Sequence, residues 1–251
     1  SKGSFISRFE NDFGSYLNVN EATTVSNGTV ALHVALLALG VGPGDEVIVP
    51  SLTYIASVNA IAYVGATPIF VDSLSDTWNV DPLDIVKKIT SKTKAVMVVH
   101  LYGNPCAMEE ILAVCRKNKI KIIEDAAEAF GSIYNGKYAG TFGDIATFSF
   151  FGNKTITTGE GGMVASNDQS LINRVAYLKS QSVSLEKEYW HEEIGFNYRM
   201  TNIAAAIGVA QLENADKVLT KKRLIADWYR SGLMGLPLKF QVEESVAVNS
   251  Y

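Results

Sequence analysis

The chain has 251 residues, with 22 Lys+Arg against 26 Asp+Glu and a formal net charge of −4. A composition of 47 % hydrophobic and 19 % charged residues, at a mean hydropathy of +0.11, excludes disorder as the dominant state and supplies ample material for a core. A pI of ≈ 5.5 argues against a dedicated nucleic-acid binder, which carries a basic face or stripe.

The N-terminal Ser1-Lys2-Gly3-Ser4 leads into polar sequence and does not read as a signal peptide. A helix is predicted over 29–39, closed by Gly40 as a left-handed terminal residue. Gly42-Pro43-Gly44-Asp45 is a turn, and a strand follows at 47–49. The most apolar stretch, 54–71, contains Ser57, Asn59, Gly65 and Pro68. It reads as a helix (55–64), a turn and a strand (69–71), not as a membrane span.

Asp81-Pro82 opens a helix over 83–89 with an N-cap acid and a first-turn proline. Then come a strand at 95–100, a helix at 108–118, and strands at 120–123, 145–150 and 163–165. Beyond about residue 165 the pattern is helical, over 171–179, 202–212 and 215–229. Short strands that are apolar on successive residues, alternating with helices, point to α/β architecture with a parallel or mixed sheet covered by helices. Cys106 and Cys115 are too few for a disulfide framework and form no C-x-x-C pair. A reducing, cytoplasmic compartment is therefore the expectation.

Neither phosphate-loop nor G-x-G-x-x-G fingerprints occur, and neither do H-E-x-x-H or G-x-S-x-G. His33, His100 and His191 lack metal-ligand spacing and read as structural.

Three loops carry candidate chemistry. Ser26-Asn27-Gly28-Thr29 opens a helix, where free N–H groups and the Thr29 hydroxyl suit an anion; an ordinary N-cap is the plainer reading. Glu124-Asp125-Ala126-Ala127-Glu128 ends a strand, where an acid can face a ligand; a capped helix start is the alternative. Phe148-Ser149-Phe150-Phe151-Gly152-Asn153-Lys154-Thr155 places a lysine directly after an aromatic strand, followed by Gly159-Glu160-Gly161-Gly162. Burial disfavours a charged amine, and a neutral amine can form a Schiff base with a carbonyl. The glycines would let the backbone approach a ligand, or form a surface turn.

These segments, with Val49-Pro50-Ser51-Leu52-Thr53-Tyr54 and Gly195-Phe196-Asn197-Tyr198-Arg199-Met200-Thr201-Asn202, resemble the DegT/StrS-type sugar-nucleotide aminotransferases over most of the chain, from about residue 9 to 229. Within that family, Phe150 to Thr155 and Asn197 to Thr201 look closest to a branch whose substrate is a GDP-linked sugar. The resemblance implies the large domain of the type I fold of pyridoxal 5′-phosphate enzymes, a three-layer αβα sandwich on a mostly parallel sheet. It implies Lys154 at the Schiff-base position and Asp125 on the pyridine nitrogen. Tyr54 would stack on the ring, and Gly28, Thr29 and Ser149 would bind the phosphate. Asn197 would reach the neighbouring site of a homodimer.

At position 128 many relatives have Gln on the phenolic oxygen. Glu128 departs from them, and a carboxyl must be protonated to donate there. The implied reaction transfers an amino group from glutamate to a 4-keto-6-deoxy sugar nucleotide. A dehydratase of the same fold or a non-catalytic regulatory relative are the alternatives, and Lys154 argues against dehydration because some dehydrating relatives carry histidine there. No nucleic acid, membrane or metal is implied. Residues 1–230 are expected to form the cofactor domain, and 231–251 to begin a truncated C-terminal domain.

Overall fold

A computed structural model describes residues 3–184, 186–187 and 189–251; Ser1 and Lys2, the start of the polar N-terminal segment, lie outside the described residues. The helices are α1 (Ser4–Leu17), α2 (Gly28–Ala38), α3 (Ile55–Tyr63), α4 (Pro82–Lys88), α5 (Met108–Asn118), α6 (Gln169–Leu178), α7 (Asn202–Leu212) and α8 (Ala215–Gly232). The strands of the main sheet are β1 (Glu21–Val25), β2 (Glu46–Pro50), β3 (Thr67–Val71), β4 (Thr93–Val99), β5 (Lys121–Asp125), β8 (Ile145–Ser149) and β9 (Gly162–Ser166). A small sheet is built from β6 (Ile133–Tyr134), β7 (Lys137–Tyr138) and β10 (Ala247–Val248).

The seven-stranded sheet has the order β1-β9-β8-β5-β4-β2-β3. The run from β8 to β3 is parallel, and β9 lies antiparallel between β8 and β1. Alternate residues divide the sheet into two faces, as the pleat requires. Val47, Val49, Met97 and Ile123 pack into one core with α2, α3 and α6. On the opposite face, Ile48, Val96 and Val98 pack with α5, and Phe148 and Met163 with α1 and α7. Both faces are covered, which explains the continuous apolar runs. The expected three-layer αβα architecture is present.

Local chemistry acts as expected at several boundaries. Gly40 has φ +72°, and Asp81 caps α4 by accepting from the Leu83 N–H at 2.8 Å. Three expectations need correction. Helix α1 was not foreseen, although Phe9, Phe13 and Leu17 recur every four residues and bury one stripe. Edge strand β1 was not foreseen either; its only fully buried apolar residue is Val25. Strands do not cease near residue 165, because β10 pairs with β6. Among the described residues no helix is long and apolar enough to cross a membrane.

Candidate active site

Strand β4 lies on the opposite side of β2 from β3, so the chain reverses its direction of travel across the sheet between β2 and β4. Crevices form at the carboxyl ends of strands at such a reversal. Here the crevice is a cavity of ≈ 630 Å³ that includes Gly28, Thr29, Tyr54, Asp125, Ser149 and Lys154. Glu128 also lines it. Seven of the eight residues singled out in the sequence thus share one cavity.

One end of the cavity suits an anion. Asn27 caps α2, its side chain accepting from the Val30 N–H at 3.0 Å. The N–H groups of Gly28 and Thr29 belong to the first turn, which helix geometry leaves without intrahelical partners. A Cβ at Gly28 would lie 2.8 Å from Ser149 Cβ, so only glycine lets the helix start sit against the end of β8. Amides and two hydroxyls are thereby gathered in one cradle.

The other end carries an acid. Asp125 ends β5 at 5 % exposure. Its carboxylate accepts from Ser57 Oγ at 2.8 Å and from the Ala127 N–H at 3.2 Å. No helix follows it, so the capping alternative does not hold. Burial pushes the Asp125 pKa up; the Ser57 and Ala127 hydrogen bonds and the Lys154 charge oppose that, and Glu128 reinforces it. A cation placed beside the carboxylate would relieve that desolvation. Thr53 Oγ1 lies 2.9 Å from Ser57 Oγ. Because Ser57 gives its one proton to Asp125, Thr53 is the donor in that second bond.

Lys154 sits in a loop closed at its base. Phe150 N–H donates to Gly161 O at 2.8 Å and Thr158 N–H to Phe150 O at 2.9 Å. A turn bond from Lys154 N–H to Phe151 O (3.0 Å) presents the side chain. Lys154 Nζ lies 3.6 Å from Glu128 Oε1, with the two side chains 20 % and 31 % exposed. Glu128 Oε2 accepts from the Tyr102 N–H at 2.8 Å.

Other expectations resolve differently. Tyr54 is 76 % exposed on the cavity rim, which disposes of a core role. Asn197 is exposed and does not line this cavity; its backbone bridges to Ser180. The glycines after Lys154 serve packing: a Cβ at Gly162 would lie 2.6 Å from Asn27 O, so Gly162 lets β9 approach the start of α2. Gly159 takes φ +80° in the turn. Ser57 and Thr53 escaped sequence reading. The available signal was a polar residue inside the apolar pattern of α3.

His100 is structural. Cys106 N–H donates to its Nδ1 at 3.0 Å, so Nε2 carries the proton and donates to Glu124 Oε2 at 3.0 Å. Glu124 also accepts from the backbone N–H groups of Gly140, Phe142 and Gly143 at 2.7, 2.7 and 2.6 Å. This fully buried carboxylate organises the loop between β7 and β8.

Taken together, the donors fit a planar, phosphate-bearing carbonyl compound with a basic ring nitrogen. The phosphate matches the Gly28–Ser149 cradle, the ring nitrogen matches Asp125, and the carbonyl matches the amine of Lys154.

The family model described as the DegT/DnrJ/EryC1/StrS aminotransferase family matches residues 1–250. The chain is 63 % identical over 236 residues to GDP-perosamine synthase of Escherichia coli O157:H7, covering 94 % of this chain and 65 % of that protein. It is 53 % identical over 251 residues to GDP-perosamine synthase of Vibrio cholerae, covering 100 % of this chain and 68 % of that protein. The crystal structure of S. venezuelae DesV in complex with a ketimine intermediate superposes with TM-score 0.95 at 38 % identity, over 100 % of this chain and 67 % of that one. The PLP form of the putative sugar aminotransferase Spr1654 from Streptococcus pneumoniae gives TM-score 0.92 at 31 % identity, over 100 % and 69 %.

Proposed function

Because the chain belongs to the DegT/DnrJ/EryC1/StrS aminotransferase family, we propose that it carries the cofactor site of a pyridoxal 5′-phosphate-dependent aminotransferase. The amino group moves from glutamate to a 4-keto-6-deoxy sugar nucleotide, in the manner of GDP-perosamine synthase. The observation that carries this reading is the convergence of Lys154, Asp125 and the Gly28–Ser149 cradle on one cavity at the strand ends.

Gly28, Thr29 and Ser149 would hold the phosphate, and Tyr54, on the rim, would cover the ring. Asp125, oriented by Ser57, would keep the ring nitrogen protonated. When bound, the cofactor supplies an electron sink for charge developing at the amino-acid carbon. Lys154 Nζ would be its attachment point and, when free, the base that would move a proton in each half of the transfer. Glu128, 3.6 Å from Nζ, sits where it can hold a proton for the phenolic oxygen or steady the released ammonium. A lysine at position 154 supports amino transfer over dehydration.

The protein is a cytoplasmic homodimer in this reading, and Asn197 reaches the neighbour's phosphate; its exposure away from its own cavity is compatible with that. In this reading residues 1–230 form the cofactor domain and 231–251 begin a smaller one; the end of α8 at Gly232 supports the boundary, while the pairing of β10 with β6 ties residues 247–248 to the cofactor domain.

The test mixes the protein with pyridoxal 5′-phosphate and records the visible spectrum. A band lost on borohydride reduction, and missing in Lys154→Ala, is expected. Glutamate and a panel of 4-keto sugar nucleotides should then yield an amino sugar nucleotide by mass spectrometry. An unchanged spectrum in Lys154→Ala would sink the assignment.

A further inference from the structure

Glu128 faces Lys154 with one oxygen and is held by the other. Its Oε1 lies 3.6 Å from Lys154 Nζ, and its Oε2 accepts from the Tyr102 N–H at 2.8 Å. The direction of that N–H therefore decides where the carboxylate points. A peptide unit is planar, so the Tyr102 N–H and the Leu101 C=O turn together and point opposite ways.

The local backbone opposes this orientation. Tyr102 is left-handed, at φ 54°, a conformation that residues with a Cβ rarely adopt. Rotating the Leu101–Tyr102 peptide plane by about half a turn would return the φ of Tyr102 to negative values. It would also present a carbonyl oxygen to Glu128 in place of the N–H. An outlier of this kind persists only where its surroundings over-determine it.

Here the surroundings do so from the carbonyl side. Leu101 O accepts from Gln241 Nε2 at 3.1 Å and from the Asn104 N–H at 3.1 Å. Gln241 is 8 % exposed, and its Nε2 also donates to Thr77 O at 2.6 Å. Both protons of its NH2 group thus meet carbonyls, which fixes the side chain. Asn79 and Asn104 brace the same loop. Asn79 Oδ1 accepts from the Leu101 N–H at 3.3 Å, and Asn104 Nδ2 donates to Val242 O at 2.9 Å. The ring of Trp78, itself left-handed at φ 58°, meets the Tyr102 ring edge to face at 6.2 Å. Among the described residues, Gln241 is the one side chain that donates to the Leu101 carbonyl. A carbonyl that accepts a hydrogen bond polarises its own peptide and strengthens the N–H at the other end.

We propose that Gln241 is a positioning residue of the active site. By gripping the Leu101 carbonyl across 140 residues of chain, it keeps the Tyr102 N–H on Glu128 and so keeps Glu128 beside Lys154. The proposal rests on the cofactor-site reading of Lys154 and Glu128. It gives a residue beyond α8 a part in the chemistry at the strand ends.

Gln241→Met keeps the length of the side chain and removes both donors. Thr77 O retains Asn104 Nδ2 at 3.3 Å, and Leu101 O retains the Asn104 N–H, so neither carbonyl is orphaned and circular dichroism should show the fold intact. Gln241→Asn, which withdraws the amide by one methylene, is the second variant and carries the same comparisons if Gln241→Met does not fold. Hydrogen exchange of the Tyr102 amide, resolved by NMR in the cofactor-free protein, should accelerate at least about tenfold, since a hydrogen bond to a charged acceptor is released. In protein loaded with pyridoxal 5′-phosphate, the visible spectrum and its pH dependence should change. The same substitution added to Glu128→Ala should change neither, because the relay then has no end point. Wild-type Tyr102 exchange in a folded Gln241 variant overturns the proposal. So does a spectrum that is unchanged, or that shifts equally with and without Glu128. The exchange measurement uses no cofactor, so it stands by itself: a wild type that gives no visible band with pyridoxal 5′-phosphate fails the cofactor-site reading instead.

Discussion

Ser57 Oγ and Asp125 Oδ2 are joined by a 2.8 Å hydrogen bond across 68 residues of chain. Ser57 is 1 % exposed and Asp125 5 %, so neither group can turn to water. The bond sets which way the carboxylate faces, and Thr53 behind it fixes the Ser57 proton. Hydrogen bonds to charged groups contribute about 1.5–3 kcal/mol. Ser57→Ala should therefore weaken cofactor binding roughly 10- to 100-fold by that range, measured by absorbance titration, with the fold retained in circular dichroism. Unchanged cofactor affinity would show that Ser57 is only packing.

Asp125→Asn separates function from stability. Burial raises the Asp125 pKa in the folded protein, so between the ordinary carboxylate value and that raised one the folded state holds the extra proton. Stability without cofactor then falls as pH rises through this window, and the penalty is fully present above it. Asparagine removes the charge and with it the penalty. Cofactor-free Asp125→Asn should melt higher than wild type at neutral pH, by about 2–4 °C per kcal/mol gained, and the difference should shrink toward pH 4. Transamination should meanwhile fall by at least about 100-fold, the scale of losing a charged group aimed at developing charge. Equal melting temperatures at pH 7 would contradict the burial argument.

Gly28→Ala addresses the phosphate cradle. The new Cβ would meet Ser149 Cβ at 2.8 Å, so the helix start or the end of β8 must shift by several tenths of an ångström. Cofactor affinity should drop about tenfold, a loss of about 1.4 kcal/mol, measured by absorbance titration; an unchanged affinity would show that the start of α2 does not hold the phosphate. Gly40→Ala is the contrast. Its φ of +72° makes it strained, although no atom lies within 4 Å of the added Cβ. It should cost about 1–2 kcal/mol of stability and leave cofactor affinity alone.

Glu128→Gln tests the departure from glutamine-bearing relatives. Glutamine can still accept from the Tyr102 N–H through its carbonyl, but it removes the carboxylate 3.6 Å from Lys154 Nζ. Loss of the carboxylate leaves the Lys154 amine without this ion-pair partner. Cofactor uptake and the visible spectrum of the loaded protein should therefore differ in the variant. An identical uptake profile and spectrum would mean that Glu128 acts only as the acceptor for Tyr102.

Much of this arrangement is legible in the chain because it rests on local rules. The spacing over 108–118 and 202–212 coincides with α5 and α7, and the Asp81-Pro82 start and the Gly40 stop follow from capping chemistry. Lys154 stands out because an aromatic strand precedes it. Other parts depend on contacts distant in sequence. Ser57 looks like a stray polar residue until Asp125 is placed beside it. Strand β1 has too few apolar residues to declare itself, and it exists because β9 pairs with it. The positive φ of Trp78 and Tyr102 leaves no mark in residue type, since glycine or asparagine would be expected there. Asn197 was identified only through a resemblance, and its own chain gives it no partner in the cavity.

Glu124 supplies the clearest stability prediction. Its carboxylate is fully buried and accepts from His100 Nε2 and three backbone N–H groups. Every lone-pair direction is used. Glu124→Gln substitutes an NH2 group for one acceptor oxygen, so at least one N–H donor would face another. Leaving a buried N–H donor without an acceptor costs about 1–3 kcal/mol. Chemical denaturation should show a loss of that order, with local exchange of the Gly140, Phe142 and Gly143 amides accelerated ahead of global unfolding. His100→Asn should lose less, because the three backbone donors to Glu124 remain. If Glu124→Gln unfolds at the wild-type denaturant midpoint, the 140–143 loop is held by something other than this carboxylate.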